Sequence, residues 1–157
     1  MSIFATFRRV LYKGGVVALC VVQYGCIAHC ALEYGADFVL CSGPSMEPTI
    51  TTSDIVLTEH ITTALNRTKR GDVVIARSPV DPRQHICKRV VAVPGDKISK
   101  GFFTEYVPRG HVWLEGDNHN NSTDSRSYGP VPEALLRGRV ICKVWPLRDA
   151  GWLSARQ

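Results

Sequence analysis

The chain has 157 residues, enough for one compact domain, and its 45% apolar and 21% charged residues exclude a disordered or low-complexity chain. A net charge of +5 would suit nucleic-acid binding, but the charge is unevenly distributed. Arg8, Arg9 and Lys13 precede the first acidic residue, and the rest of the chain is close to neutral. The sequence therefore predicts a globular domain behind a short basic head, with no nucleic-acid partner.

An uncharged apolar run follows the head and covers residues 14–32. A helix of that length is roughly 28 Å long, close to the thickness of the hydrocarbon core of a bilayer. Gln23 and His29 dilute the run, so a buried core helix is the competing interpretation. We favour a membrane anchor over a core helix. A cleaved signal peptide is disfavoured because no good small-residue cleavage site follows the apolar run. The positive-inside rule then places the head and the remaining domain on opposite sides of the membrane.

The cysteines do not identify the compartment, because three lie within the apolar run and three are scattered beyond it. An odd number of cysteines after the anchor, without short spacings, predicts free thiols at Cys41, Cys87 and Cys142. Neither the Cys and His residues of the anchor nor the polar stretch 116–130 forms a complete metal-ligand set. The sequence therefore predicts neither a metal nor a cofactor.

After the anchor, the sequence predicts short strands rich in Val and Ile and separated by Gly, Pro, Asn and Asp clusters. They are predicted at 38–41, 54–58, 72–76, 85–93, 111–115 and 137–145. Most prolines lie between these runs, where turns and sheet edges tolerate them. The predicted fold is mainly β, with an N-terminal transmembrane helix followed by a mostly antiparallel β-sheet domain. The predicted segments are a basic head at 1–13, an anchor at 14–32 and the β domain at 33–157.

A candidate nucleophile lies in the stretch SGPSMEPTI at 42–50, where Ser45 stands between two prolines directly after a predicted strand. Such a turn can present a hydroxyl rigidly, although most loop serines have no catalytic role. A serine nucleophile also needs a base, and the scattered histidines have no distinctive local motif. A lysine can serve as that base if burial keeps its amine neutral, because an exposed lysine is protonated at neutral pH.

Lys88 is the candidate base. In HICKRVVAVPGD it alternates with Val90 and Ala92 on one face of a predicted strand, which would surround its amine with apolar side chains. The sequence is also compatible with the opposite alternation, in which Cys87 and Arg89 face the core and Lys88 faces solvent. Arg89 itself is expected on the outside of the domain, since arginine is rarely buried.

A third stretch, GDNHNNSTDSRSYGP at 116–130, is crowded with small polar side chains that can fix the shape of a loop. Taken in order, the anchor, SGPSMEPT, CKRVVAVPGD and GDNHNNSTDSRSYGPVP resemble the type I signal peptidase family of Ser/Lys membrane serine proteases. Three ordered motifs are far more specific than any one of them. Within that family, NSTDSRSYGP is most similar to the mitochondrial inner membrane peptidases. The resemblance implies a signal-peptidase catalytic domain over 33–157.

The resemblance also implies the catalytic dyad, with Ser45 as nucleophile and Lys88 as general base. Met46 would support the base and the substrate pocket. Gly43 occupies the position at which many bacterial members carry a hydroxyl that donates into the oxyanion hole. The backbone N–H of Ser45 is therefore the expected oxyanion donor.

Three further residues would support the dyad. Ser122 matches the family serine that hydrogen-bonds and orients the lysine amine, and Asp124 and Arg126 match an ion pair beneath the site. The implied reaction is peptide-bond hydrolysis through an acyl-enzyme. Lys88 would take the proton from Ser45 and pass it to the leaving amine, after which water would hydrolyse the ester.

The implied function is removal of N-terminal hydrophobic sorting presequences from preproteins delivered to the mitochondrial intermembrane space. The enzyme would cross the inner membrane once, with its catalytic domain in the intermembrane space. Because the stretch from Leu32 to Ser45 reaches at most about 45 Å, the nucleophile would work near the bilayer. The implied partners are these preproteins, the membrane and a peptidase of the subunit 2 type.

Two alternatives remain at the level of sequence. One is a bacterial or endoplasmic-reticulum signal peptidase with the same chemistry, and glycosylation sequons at Asn66, Asn120 and Asn121, two of them in the predicted catalytic loop, mildly disfavour the endoplasmic reticulum. The other is an inactive membrane-anchored assembly subunit. Retention of Ser45, Lys88 and Ser122 together disfavours that alternative.

Overall fold

The structure, a computed structural model of the chain, describes residues 2–30, 35–100 and 103–153. Its contacts separate two units, one ending at Gly35 and the other beginning at Ala36. The segment boundaries given by the sequence stay predictions.

Helix α1 (Ser2–Cys30) forms the first unit. It begins well before the predicted anchor because the basic head contains no proline or glycine that would end a helix. Its segment Lys13–Cys30 is long and apolar enough to cross a membrane, and apolar side chains in it, such as Leu19 and Val21, are exposed. These features suit the predicted membrane anchor. Positions 31 and 32 of the predicted anchor lie outside the described residues.

The second unit is built almost entirely of strands, which confirms the predicted fold class. The strands are β1 (Ala36–Leu40), β2 (Ile55–Glu59), β3 (Val73–Arg77), β4 (His85–Ala92), β5 (Lys97–Lys100), β6 (Phe103–Tyr106), β7 (His111–Glu115), β8 (Val131–Pro132), β9 (Leu136–Trp145) and β10 (Gly151–Trp152). Short helices α2 (Ile61–Ala64) and α3 (Ser125–Tyr128) lie in the connections.

The strands pair antiparallel. In the described residues one sheet has the order β1-β2-β9-β3-β4-β7-β8, with β10 on β9, and β5 pairs with β6 separately. All six predicted strands are present within two residues of their predicted ends. The sequence missed the four-residue strands β5 and β6, which form the separate pair, and the two-residue strands β8 and β10, which are too short to show alternation.

Strand β3 lies inside the sheet and is buried on both faces, so alternate residues enter two different cores. Val73 and Ile75 face the first core, and Val74 and Ala76 face the second. Full burial of a Val or Ile side chain stabilises the fold by about 1.5–3 kcal/mol. The other buried members of the first core are Cys41, Met46, Ile50, Val56 and Val140. The other buried members of the second core are Val90, Val112, Leu114, Val131 and Leu136.

Candidate active site

Ser45 lies on a 3₁₀ turn, Pro44–Met46, in the loop between β1 and β2. The two ends of this loop are joined by backbone hydrogen bonds, because Cys41 N donates to Asp54 O at 2.8 Å and Ser53 N donates to Cys41 O at 2.9 Å. Asp54 is buried and pairs with Lys143 Nζ at 2.6 Å. The turn that carries Ser45 is thus held at its base by the sheet itself.

Two neighbours of Ser45 fix the local backbone. Gly43 has φ of +97°, a left-handed conformation that side chains disfavour, so a glycine suits this position. Met46 is 2% exposed and packs in the first core with Ile50. The turn is therefore anchored from below by Met46 and shaped by Gly43.

Lys88 lies on β4, paired across the sheet with Val74, and is only 4% exposed. Its Nζ donates to Ser122 Oγ at 3.0 Å. Burial lowers the pKa of Lys88 from its ordinary value, against the opposing effect of the Asp124 carboxylate. The charge of Arg126 also lowers that pKa. The amine is thus the kind of desolvated lysine that a base requires.

Ser122, Asp124 and Arg126 form a chain of contacts behind the lysine. Ser122 Oγ donates to Asp124 Oδ2 at 2.7 Å, and two nitrogens of Arg126 donate to the same carboxylate at 2.8 Å. The backbone N–H of Gly116 adds a further bond at 3.0 Å. Burial alone would raise the pKa of Asp124, but these hydrogen bonds outweigh it and hold that pKa well below its usual range. The carboxylate stays ionised and fixes the Ser122 hydroxyl.

Ser45 and Lys88 line the same cavity, which has a volume of about 230 Å³. Gly43 and Met46 also line it. The carbonyl oxygen of Ser45 and the hydroxyl of Ser122 converge on Gly116, where an added Cβ would overlap both. The structure therefore brings the seven residues named from the sequence into one region.

The sequence did not single out Asn118 and Gly116, which attach the polar loop to the nucleophile turn. Asn118 N donates to Ser45 O at 3.0 Å, and its side-chain amide donates to Pro44 O at 3.1 Å. Gly116 supplies the space that these segments need. Both residues lie in the sequence GDN that begins the third motif, and this position could have identified them as part of the site.

Arg89 corrects one prediction. It was expected outside, but it is 8% exposed, and two of its nitrogens bind the Asp117 carboxylate at 2.8 and 2.7 Å. A third nitrogen donates to Gly71 O at 2.8 Å, and Thr49 Oγ1 donates to Asp117 at 2.5 Å. Burial is tolerated because these partners satisfy the guanidinium. Lys88, Arg89 and Val90 are all buried, so β4 is covered on both faces at this point, whereas Val91 is exposed.

Comparison with known proteins identifies the class. The family described as "Signal peptidase, peptidase S26" matches residues 15–102 and 99–145, so the chain belongs to that family of serine proteases. This confirms the resemblance drawn from the three motifs.

The most similar proteins include mitochondrial inner membrane protease subunit 1 from Homo sapiens, 56% identical over 96% of this chain and 89% of that protein. The Schizosaccharomyces pombe protein of the same name is 41% identical over 88% of this chain and 90% of its own length. A mitochondrial inner membrane protease subunit 2 from Danio rerio is 39% identical over 66% of this chain and 61% of that protein. A solved signal peptidase I from Enterococcus faecalis is 23% identical, with a TM-score of 0.41 over 46% of this chain and 95% of that one. The subunit 1 relatives indicate a mitochondrial role of the signal-peptidase type.

Proposed function

We propose that this protein removes N-terminal hydrophobic sorting presequences from preproteins delivered to the mitochondrial intermembrane space, using Ser45 and Lys88 as a catalytic dyad. The observation that carries the proposal is a buried lysine amine, hydrogen-bonded to Ser122, in the cavity that also contains Ser45. The mitochondrial setting is supported by the subunit 1 relatives.

In the first step, the neutral Lys88 amine takes the proton from Ser45 Oγ as the oxygen attacks the scissile carbonyl. The resulting ammonium protonates the leaving amine, and water then hydrolyses the acyl-enzyme. General-base catalysis of this kind contributes about 10²- to 10⁴-fold to the rate. A lysine can act as a base at neutral pH only if its pKa is lowered, and burial lowers the pKa of Lys88.

Ser122 and the ion pair behind it position the base. Ser122 Oγ accepts from Lys88 Nζ and donates to Asp124, so its hydroxyl has one orientation. Arg126 balances the charge of Asp124, which would otherwise favour the protonated amine. Ser122, Asp124 and Arg126 thus orient the Lys88 amine without favouring its protonated form.

The backbone N–H of Ser45 is the proposed oxyanion donor. Gly43 has no side chain to add a second donor, and its positive φ explains why a hydroxyl residue is disfavoured there. The turn that carries this N–H is fixed by Met46 below and by Asn118 from the polar loop. Such preorganisation is what stabilises the charge that develops on the carbonyl oxygen.

We place the catalytic domain on the intermembrane-space side, since the basic residues of α1 precede its apolar segment. Relatives named subunit 1 and subunit 2 support a subunit 2 type peptidase as partner in a heteromeric complex. Protease protection in intact and ruptured mitochondria tests the topology. Finding residues beyond α1 on the matrix side would contradict it.

The dyad is tested with the full chain in detergent, with and without a subunit 2 homologue, on candidate precursors whose new N-termini are mapped. Ser45→Ala should abolish cleavage while the protein still assembles. Ser99→Ala, on the separate β5–β6 sheet, is the matched control and should cleave like the parent. Retained cleavage by Ser45→Ala would refute the dyad, and an inactive parent with its partner present would favour the assembly-subunit alternative.

A further inference from the structure

The wall of the active-site cavity contains two thiols that the proposed mechanism does not use. Cys41 directly follows β1 at the start of the nucleophile loop, and Cys87 directly precedes Lys88 on β4. Both line the cavity together with Ser45, and both are free cysteines. Cys87 packs against the same core cluster that contains Cys41.

The two thiols contact each other and are chemically unequal. A hydrogen bond with Cys87 lowers the pKa of Cys41 from its ordinary value, against the opposing effects of burial and of the nearby Asp54 carboxylate, and the Lys143 ammonium makes a smaller lowering contribution. The same contact, together with burial, raises the pKa of Cys87 well above its ordinary value. A thiol that ionises more easily beside one that keeps its proton is the arrangement of an attacking and a resolving cysteine.

We propose that Cys41 and Cys87 are a redox modification site that reacts with a small hydroperoxide and closes to a reversible disulfide. The Cys41 sulfur attacks one peroxide oxygen, which breaks the O–O bond and releases water or an alcohol, leaving a sulfenic acid on Cys41. The Cys87 thiol then attacks the Cys41 sulfur, its proton leaves with the displaced hydroxyl as water, and the S–S bond forms. Each sulfur loses one electron, and the peroxide gains both.

Closure changes the geometry of the dyad. A disulfide draws its two sulfurs to bonding distance and fixes their relative geometry, so it would covalently join the two segments of the cavity wall that carry Cys41 and Cys87. One wall leads into the turn of Ser45, whose base is fixed at Cys41 by hydrogen bonds to Asp54 and from Ser53. The other wall carries Lys88 beside Cys87. A displacement of about 1 Å between catalytic groups can lower a rate about 10²-fold.

The site therefore makes precursor cleavage sensitive to oxidation. That consequence rests on the proposed dyad, whereas formation of the disulfide does not. The two claims are separated by measuring the covalent state and the cleavage rate in the same samples.

The covalent test uses the reduced full chain in detergent, treated with a small excess of hydrogen peroxide, alkylated with N-ethylmaleimide and mapped by mass spectrometry. We expect a peptide pair linked through Cys41 and Cys87 that dithiothreitol separates. Cys142→Ser is the control and should give the same linked pair. Cys87→Ser should give no linked pair and should leave a Cys41 sulfenic acid that dimedone traps. Separate alkylation or separate over-oxidation of the two parent cysteines, or linkage of either to another cysteine, would overturn the proposal.

The functional test compares each protein with its own untreated rate. Oxidation should lower precursor cleavage at least about tenfold in the parent and in Cys142→Ser, with recovery in dithiothreitol, and should spare Cys87→Ser. A linked pair with an unchanged cleavage rate would overturn the regulatory role. A parent that cleaves no precursor before oxidation would count against the proposed function, while peptide mapping would still decide whether the disulfide forms.

Discussion

Two adjacent basic residues, on opposite faces of strand β4, have pKa values shifted in opposite directions. Lys88 and Arg89 are both buried, at 4% and 8% exposure. Lys88 has the neutral hydroxyl of Ser122 as its hydrogen-bond acceptor, and burial lowers its pKa. Arg89 binds the Asp117 carboxylate through two nitrogens, and that hydrogen bonding raises its pKa. Burial alone does not decide the charge of a side chain, since the partner decides whether the charge is kept.

The two residue types match these two environments. A guanidinium stays protonated and fits a carboxylate with two parallel hydrogen bonds, so Arg89 can join β4 to the polar loop as a permanent ion pair. An amine loses its proton when it is desolvated without a full counter-charge, so Lys88 can act as a base. One face of β4 is therefore built for chemistry and the other for stability, and substitutions should separate the two.

Lys88→Met should give the largest effect. Methionine keeps most of the volume but has no amine, so cleavage should fall about 10²- to 10⁴-fold. The same change should raise the free energy of unfolding by about 0.5–2 kcal/mol, because a desolvated amine is replaced by an apolar side chain. Precursor cleavage and urea denaturation in detergent, followed by tryptophan fluorescence, measure the two effects.

Lys88→Arg is the matched control for charge, since it restores a cation that cannot act as a base. It should be as inactive as Lys88→Met and less stable than the parent. Cleavage at the parent rate by either variant would show that Lys88 is not the base.

Arg89→Met should have the opposite consequence for stability. It leaves the buried Asp117 carboxylate without its guanidinium, which should lower the free energy of unfolding by about 3–5 kcal/mol. The same denaturation experiment measures this loss. Adding Asp117→Asn to Arg89→Met should recover part of it, because the uncompensated charge is then removed. A loss below about 1 kcal/mol for Arg89→Met would show that the pair has no stabilising role.

The same contrast shows what the sequence could and could not predict. Alternation of Val and Ile located the six main strands, and the three motifs located Ser45 and Lys88 together with their supporting residues. The burial of Arg89 was missed because its acceptor, Asp117, lies 28 positions away and only the folded sheet brings them together. The contact between Cys41 and Cys87 was missed for the same reason. Local patterns predict strands and motifs, but they do not predict which long-range partner makes burial of a charge tolerable.

Ser122→Ala should have a smaller effect on catalysis than loss of the base. The lysine amine would remain but would lose the acceptor that orients it, so kcat should fall about 10- to 100-fold while KM changes little. Steady-state kinetics on one precursor separate the two parameters. Asp124 would keep its bonds from Arg126 and Gly116, so stability should change by less than about 1.5 kcal/mol. A change in KM alone would place Ser122 in substrate binding instead.

The smallest effect should be a shift in pH dependence. The free amine of Lys88 is the active form, so kcat/KM should rise with pH through its pKa, with a midpoint below the ordinary value of 10.5.

The pH dependence of stability provides an independent check on the pKa of Lys88. Between the folded-state pKa and 10.5, the unfolded chain binds more protons at this lysine than the folded chain does, so the parent becomes more stable as pH rises. The stability advantage of Lys88→Met over the parent should therefore shrink across that window, and denaturation of both proteins at several pH values measures it. A constant advantage, with a rate profile centred at 10.5, would mean that burial does not lower the pKa of Lys88.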